Sequence, residues 1–188
     1  MTQSLSERKA EARKAALTRR AEAHAVHRQA ASSVLQSYMA DLSGKVVAGY
    51  LPIRTEADPL PAMNALAVRN RICVPVIDAP GRPLSFREWT PGCALEEGPF
   101  RVMVPISGET IRPQVVIVPL VAFDGRLFRL GYGGGFYDRT LSLFRTAGPV
   151  QAIGFAYSGQ RDDALPRERT DERLDVLVTE RGAFSAED

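Results

Sequence analysis

The order of apolar and polar segments predicts an α/β fold, a layered sandwich on a mostly parallel sheet entered by a long N-terminal helix. Three features carry that reading. Strand-like apolar runs alternate with helix signals through most of the chain, the pattern of a sheet with helices on its faces. A segment reaching about Met39 contains neither proline nor glycine. In mid-chain the apolar run 115–123 leads into Arg129-Leu130-Gly131-Tyr132-Gly133-Gly134-Gly135-Phe136-Tyr137-Asp138-Arg139. Tyr137, Leu141 and Phe144 then fall on one face of a helix, so this stretch reads as strand, glycine loop, helix.

In chain order, the first helix opens on Ser4-Leu5-Ser6-Glu7, the spacing of a capping box, and its alanine-rich body has high helix propensity. Gly44 closes that region. Residues 45–52 read as a strand and 53–58 as a polar connection, with a helix from Pro59 capped by Asp58. A strand is expected at 71–77, then the turn chemistry of Asp78-Ala79-Pro80-Gly81-Arg82-Pro83 and a short strand at 84–89. Loop follows at 91–99, a weak strand at 100–105, and loop again to Pro113. After the glycine loop come a helix at 136–146, a strand at 150–157, a polar stretch to Glu172 and a last strand at 174–178. Ligands of such sheets gather at the carboxyl ends of strands, where the glycine loop, Glu56 and the segment after Tyr157 would emerge together.

With 188 residues, 45% hydrophobic and 24% charged, the chain fits a single domain over 1–188. A formal net charge of +2 gives no ground for a nucleic-acid or membrane partner. Cys73 and Cys93 are the only cysteines, and Cys73 sits in an apolar run, so a reducing compartment, the cytoplasm, is expected and not a disulfide framework. The longest apolar run, 115–123, is far short of the ~20 residues a membrane-spanning helix needs. The start has no apolar signal-peptide core, and three Glu among the seven Arg and Lys of the first 30 residues argue against an organelle transit peptide. A monomer or weak homodimer is expected.

Four glycines within five residues let the backbone approach a ligand and leave several N–H groups free to point at one place. An anion suits them, drawn by the positive end of the following helix and by Arg129 and Arg139 on either side. A carboxylate beside phosphates is repelled unless a divalent cation intervenes, which makes Asp138 a natural Mg²⁺ ligand or water-mediated partner. The loop is not a Walker A loop, having no Gly-Lys-Ser/Thr ending, and Phe136 stands where the dinucleotide fingerprint needs a small residue. A turn that merely joins strand to helix is the plain alternative.

Lys9 and Arg13, at i and i+4, project from one side of the first helix and are spaced to clamp a phosphate; the other arginines there read as a solvated face. His24 and His27 share a face, but with no third ligand in view they read as surface histidines. Glu56 is either a loop acid in water or part of a site.

The central stretch, with Val118-Pro119-Leu120-Val121-Ala122-Phe123-Asp124 before it, resembles the signature of the 5-formyltetrahydrofolate cyclo-ligase family, also called methenyltetrahydrofolate synthetases. The resemblance covers nearly the whole chain. Lys9-Ala10-Glu11-Ala12-Arg13 is similar to the family's basic N-terminal motif, and Tyr50-Leu51-Pro52-Ile53-Arg54-Thr55-Glu56-Ala57-Asp58 to its tyrosine, proline and acid segment. Leu84-Ser85-Phe86-Arg87-Glu88-Trp89 resembles a family strand. Gln160, then Asp171 and Leu174-Asp175-Val176-Leu177-Val178-Thr179-Glu180, resembles its carboxyl-terminal pattern.

The resemblance implies a three-layer α/β/α sandwich and ATP- and Mg²⁺-dependent conversion of 5-formyltetrahydrofolate to 5,10-methenyltetrahydrofolate. It implies that Lys9, Arg13, Arg129, Leu130, Gly131, Tyr132, Gly133, Gly134, Gly135, Phe136 and Tyr137 hold ATP, with Arg129 and Lys9 acting on the transferred group. Leu51, Glu56 and Tyr132, Gly133, Gly134, Gly135 and Phe136 would line the folate site, Glu56 as a polar contact to the pterin. Asp138 and Asp175 would serve Mg²⁺. Two departures stand out: Leu127 replaces a usual glycine, with Gly125 placed to take over the turn, and Val104 stands where the family often has an acid before proline. Rival readings are a sugar-phosphate isomerase or acyl transferase on a similar scaffold, which would need no ATP, and a catalytically silent folate-binding relative.

Overall fold

The computed structural model describes residues 3–186. Helix α1 is Leu5–Tyr38, closed at its start by the expected capping box: Ser4 Oγ accepts from Glu7 N–H (3.3 Å) and Glu7 Oε2 accepts from Ser4 N–H (2.8 Å). There follow β1 Val46–Ala48, α2 Leu60–Leu66, β2 Arg71–Val76, β3 Ser85–Trp89, β4 Leu95–Glu97, β5 Met103–Pro105, β6 Val115–Pro119, β7 Ala122–Phe123, β8 Arg129–Leu130, α3 Phe136–Thr146, β9 Gln151–Phe155, β10 Val176–Thr179 and β11 Gly182–Phe184. Asp58 does cap α2, its Oδ1 accepting from Leu60 N–H (2.9 Å).

Seven strands form the main sheet in the order β11-β10-β9-β6-β1-β2-β3. The five inner strands are parallel, and β11 and β3 are antiparallel edges. Alternate residues of each strand face opposite layers, as period two requires. Val47, Ile72, Val74, Val115, Ile117, Ile153 and Phe155 pack with Ala31, Leu35 and Met39 of α1 and with Met63 and Leu66 of α2. Ala48, Cys73, Val116, Val118 and Ala152 pack with Leu141 and Phe144 of α3. The result is the three-layer α/β/α sandwich, with α1 and α2 on one face and α3 on the other.

The structure departs from expectation in four places. The run 115–123 is not one strand: after Pro119 the chain leaves the sheet and β7 pairs with β8 as a separate hairpin. Buried Gln160 makes that exit possible, its Nε2 donating to the carbonyls of Leu120 (2.9 Å) and Val121 (3.0 Å), which the sheet no longer satisfies. Residues 91–99 contain β4, which pairs with β5 in an exposed ribbon. Edge strand β11 follows the last expected strand, and its residues alternate too little in burial to signal it. Gly125 does not take over the turn before Arg129; Leu127 itself adopts φ of 63°, with its side chain buried in the α3-side core. Burial of a leucine there offsets strain that a glycine would not incur.

Candidate active site

Because β1, β6, β9 and β10 run parallel, the segments that follow them leave the sheet at one edge. The Tyr157 hydroxyl lies 3.5 Å from the carbonyl of Glu56 and 3.0 Å from His24 Nδ1, tying the segments after β9 and β1 to α1. His24 thus faces Tyr157 edge-on and is not free on the surface.

The glycine loop crosses this edge. Gly133 and Gly135 have φ of 103° and 62°, a region that side chains disfavour. At Gly133 an added Cβ would lie 3.3 Å from the Arg13 guanidinium, and at Gly134 it would strike the Phe136 ring at 2.6 Å. Gly135 is the N-cap of α3 and supplies no side-chain cap, so the positive end of that helix stays open to an anion. Arg139 reaches back to the carbonyl of Gly134 and lies over Phe136.

Of three expected cations, Arg13 bonds the loop itself, Arg129 leads into it, and Lys9 shares Asp171 with Arg129. Arg13 Nε donates to the carbonyl of Gly131 (2.8 Å). Lys9, 8% exposed, is held by Asp171 (3.0 Å) and Glu168 (3.2 Å). Arg129, equally buried, donates to the carbonyl of Glu172 (2.5 Å) and to Asp138 Oδ1 (2.8 Å). Burial pushes the Arg129 pKa down, while the charges of Asp138 and Asp171 oppose the shift. Leu130 points away, into a small core with Ala16, Val121, Ala122 and Leu165, so only its backbone can face a ligand. Tyr137, partly buried against the α3-side core, has its hydroxyl pKa raised by desolvation and then by the Glu56 charge.

Leu51 packs half-buried on the α1-side core, and Glu56 is only 5% exposed. Glu56 Oε2 accepts from Ile53 N–H (2.9 Å). Burial raises the carboxyl's pKa; that amide, and then the Arg20 charge, pull it back. Tyr132, half-exposed on the glycine loop, has its pKa raised by burial and by Glu56. The two expected folate contacts therefore meet.

Asp138 and Asp175 do not meet. Asp138 lies in the first turn of α3, at the carboxyl edge of the sheet. Asp175 lies near the other edge, its Oδ2 accepting from Ala152 N–H (2.6 Å) and pairing with Arg145 (3.3 Å) in the last turn of α3. Residues 138 and 145 are about 10 Å apart along a helix axis. Among the described residues no three His, Cys, Asp or Glu side chains gather as a ligand set. Asp138 still fits a divalent ion, since its Oδ1 is engaged by Arg129 and by Glu172 N–H (3.0 Å) and its Oδ2 has no hydrogen-bond partner among the described residues. Mg²⁺ commonly takes one carboxylate and completes its shell with phosphate and water.

Sequence reasoning gave Asp171 no role and missed Glu168, the two acids that hold Lys9, and it read Arg20 as part of a solvated face although the residue is buried beside Glu56. Only an excess of acids between 162 and 175 hinted at the first group.

An uncapped helix behind a glycine loop, with Arg13 and Arg139 bonded to loop carbonyls beside a mostly parallel sheet, marks an α/β protein that carries the elements of an anion site. The particular family follows from comparison. The model of the 5-formyltetrahydrofolate cyclo-ligase family matches residues 5–180, and the chain belongs to that family. It is 31% identical to the 5-formyltetrahydrofolate cyclo-ligase of Mycolicibacterium smegmatis over 93% of this chain and 95% of that one. With the Escherichia coli cyclo-ligase it shares 32% identity over 80% of this chain and 86% of that one. The 5,10-methenyltetrahydrofolate synthetase of Aquifex aeolicus superposes with a TM-score of 0.77 at 32% identity, covering 96% of this chain and 93% of that one. The Mycoplasma pneumoniae synthetase, at 24% identity and a TM-score of 0.66, shares the fold.

Proposed function

We infer that this chain is an ATP-dependent ligase that closes 5-formyltetrahydrofolate to 5,10-methenyltetrahydrofolate, releasing ADP and phosphate. One observation carries the reading: Arg13 bonds a positive-φ glycine loop that opens an uncapped helix, Arg129 leads into that loop and shares Asp171 with Lys9, and Glu56 lies beside Tyr132 of the loop. The formamide carbon is a poor electrophile because the N5 lone pair feeds its carbonyl. The formyl oxygen therefore attacks the γ-phosphorus of ATP and ADP leaves. N10 then adds to the activated carbon and gives up its proton to water, and the C–O bond breaks to release phosphate.

Such a transfer asks the protein for alignment and charge stabilisation, not for a covalent nucleophile. Loop amides and the α3 N-terminus receive the phosphates, Arg13 fixes the loop, and Lys9 and Arg129 exchange their present carboxylate and carbonyl partners for phosphoryl oxygens. Glu56 accepts hydrogen bonds from the pterin, and Leu51 with Phe136 supplies apolar walls. Asp138, not Asp175, is the residue placed to hold Mg²⁺, whose charge would neutralise the phosphates when bound. Cytoplasmic location fits a folate enzyme of this kind; no described helix is long and apolar enough to cross a membrane.

The test is to mix purified protein with 5-formyltetrahydrofolate, ATP and Mg²⁺ and to follow the methenyl chromophore. ATP-dependent colour is expected. No colour points to a silent binding relative, and equal colour without ATP rejects the phosphorylation route.

A further inference from the structure

Arg20 is the largest fully buried side chain described, 1% exposed, yet no carboxylate among the described residues lies within 4 Å of it as an ion pair, and Glu56 acts on it from further off. It sits seven residues beyond Arg13, two turns along the same face of α1 and about 10 Å from it. Nε donates to Thr55 Oγ1 (3.2 Å), but neither Nη1 nor Nη2 has a hydrogen-bond partner among the described residues. The guanidinium carbon is 5.4 Å from the centroid of the Tyr132 ring, and the Tyr132 hydroxyl is drawn between Arg20 and Glu56.

Burying a charge costs several kcal/mol unless its donors find acceptors. Two bare guanidinium donors under the half-exposed Tyr132 ring therefore point to an acceptor that arrives from outside. A phosphate or free carboxylate is a poor candidate, since Glu56 would repel it and Lys9 and Arg13 already serve phosphates further along α1. A neutral heterocycle with donors and an acceptor on one edge suits both groups. The reduced pterin has such an edge: 2-amino and N3–H donors beside the 4-oxo acceptor.

We propose that Arg20 is a substrate-binding and specificity residue whose Nη hydrogens bond the pterin 4-oxo group while Glu56 accepts from the 2-amino and N3–H groups. Tyr132 occupies this place in the free protein, with its hydroxyl near Glu56 and its ring over the guanidinium. Gly131 and Gly133 flank it, so the ring can swing out by backbone rotation without disturbing the core. The inference rests on the folate reading above and adds to it a residue and a contact.

The assay compares wild type with Arg20→Gln, titrating 5-formyltetrahydrofolate at saturating ATP and then ATP at saturating folate. A folate KM raised at least ~30-fold with an ATP KM within ~3-fold is expected, because the site is left with unpaired polar groups. A folate KM within ~3-fold of wild type, or both KM values rising together, overturns the assignment. Wild-type protein supplies a second readout that does not depend on the variant folding. Calorimetry would measure its affinity for 5-formyltetrahydrofolate and for the 4-thioxo analogue, which keeps the 2-amino and N3–H donors and puts a weakly accepting sulfur in place of the 4-oxo oxygen. Binding of the analogue at least ~10-fold weaker supports Arg20 as the partner; equal or tighter binding refutes it. Loss of methenyl production by the wild type would overturn the proposed reaction alone, since the binding comparison still decides Arg20.

Discussion

Replacing Asp138 separates a structural duty from a chemical one. Its Oδ1 accepts from Arg129 Nη2 (2.8 Å) and from Glu172 N–H (3.0 Å). The Arg129 side chain is 4% exposed and that of Asp138 is 27% exposed. Stranding one partner of a fully buried pair costs about 3–5 kcal/mol. Here water reaches the aspartate side, which lowers the cost of Asp138→Ala to about 2–3 kcal/mol, the lost amide hydrogen bond included. A domain of this size loses about 2–4 °C of Tm per kcal/mol, so the alanine variant should melt about 4–12 °C below wild type. Asp138→Asn keeps an oxygen for both donors and should cost about 1 kcal/mol. Both variants lose the negative charge, so turnover should fall about 100-fold or more in each, equivalent to about 2.7 kcal/mol of transition-state stabilisation. Thermal unfolding by circular dichroism reads the first effect, and methenyl formation across a Mg²⁺ series reads the second. Wild-type turnover by Asp138→Asn at every Mg²⁺ concentration would refute the metal role, and an unchanged melting point for Asp138→Ala would refute the buried pair.

Three further outcomes are expected. Gly133→Ala forces a side chain onto a φ of 103° and into contact with Arg13 at 3.3 Å; it should cost about 1–2 kcal/mol by urea unfolding and raise the ATP KM about tenfold by moving that clamp, and an unchanged ATP KM would show that Arg13 does not position the nucleotide. Asp175→Ala should lose about 1–2 kcal/mol through the Ala152 amide bond and the half-exposed Arg145 pair, read by urea unfolding, and leave the Mg²⁺ half-saturation point unchanged; a large shift would bring Asp175 back to the metal. Glu56 has its carboxyl pKa raised above 4.5 by burial, so the stability it contributes is present below pH 4.5 and lost as pH climbs through the folded midpoint. Relative to Glu56→Gln, wild type should therefore weaken across that window by about 1.4 kcal/mol for each pH unit separating the two midpoints; parallel urea-unfolding profiles from pH 4.5 to 8 would show that burial is not felt by the charge.

Local rules accounted for much of the architecture. Helix α3 runs over the predicted 136–146, because the glycines before it and the Tyr137, Leu141, Phe144 stripe are both local signals. The capping box at Ser4 and the Asp58 cap formed for the same reason. Where a distant residue had to intervene, expectation failed. The break after Pro119 depends on Gln160, forty positions away, and the positive φ of Leu127 on the core that its side chain fills. Exposed β4 and β11 carried no periodic pattern to read.

By itself the amino-acid sequence determined the alternation of strands and helices, the glycine loop before α3 and the cations Lys9, Arg13 and Arg129 as candidates, since each is written in spacing over a few residues. Only the tertiary structure decided how these groups are held at rest: Lys9 by Asp171, and Arg129 by Asp138. It also parted Asp175 from Asp138 and set Arg20 against Glu56 with two donors bare. The reason is that ion pairing and burial depend on which strands and helices share an edge of the sheet, and residues far apart in the chain meet only once that sheet is assembled.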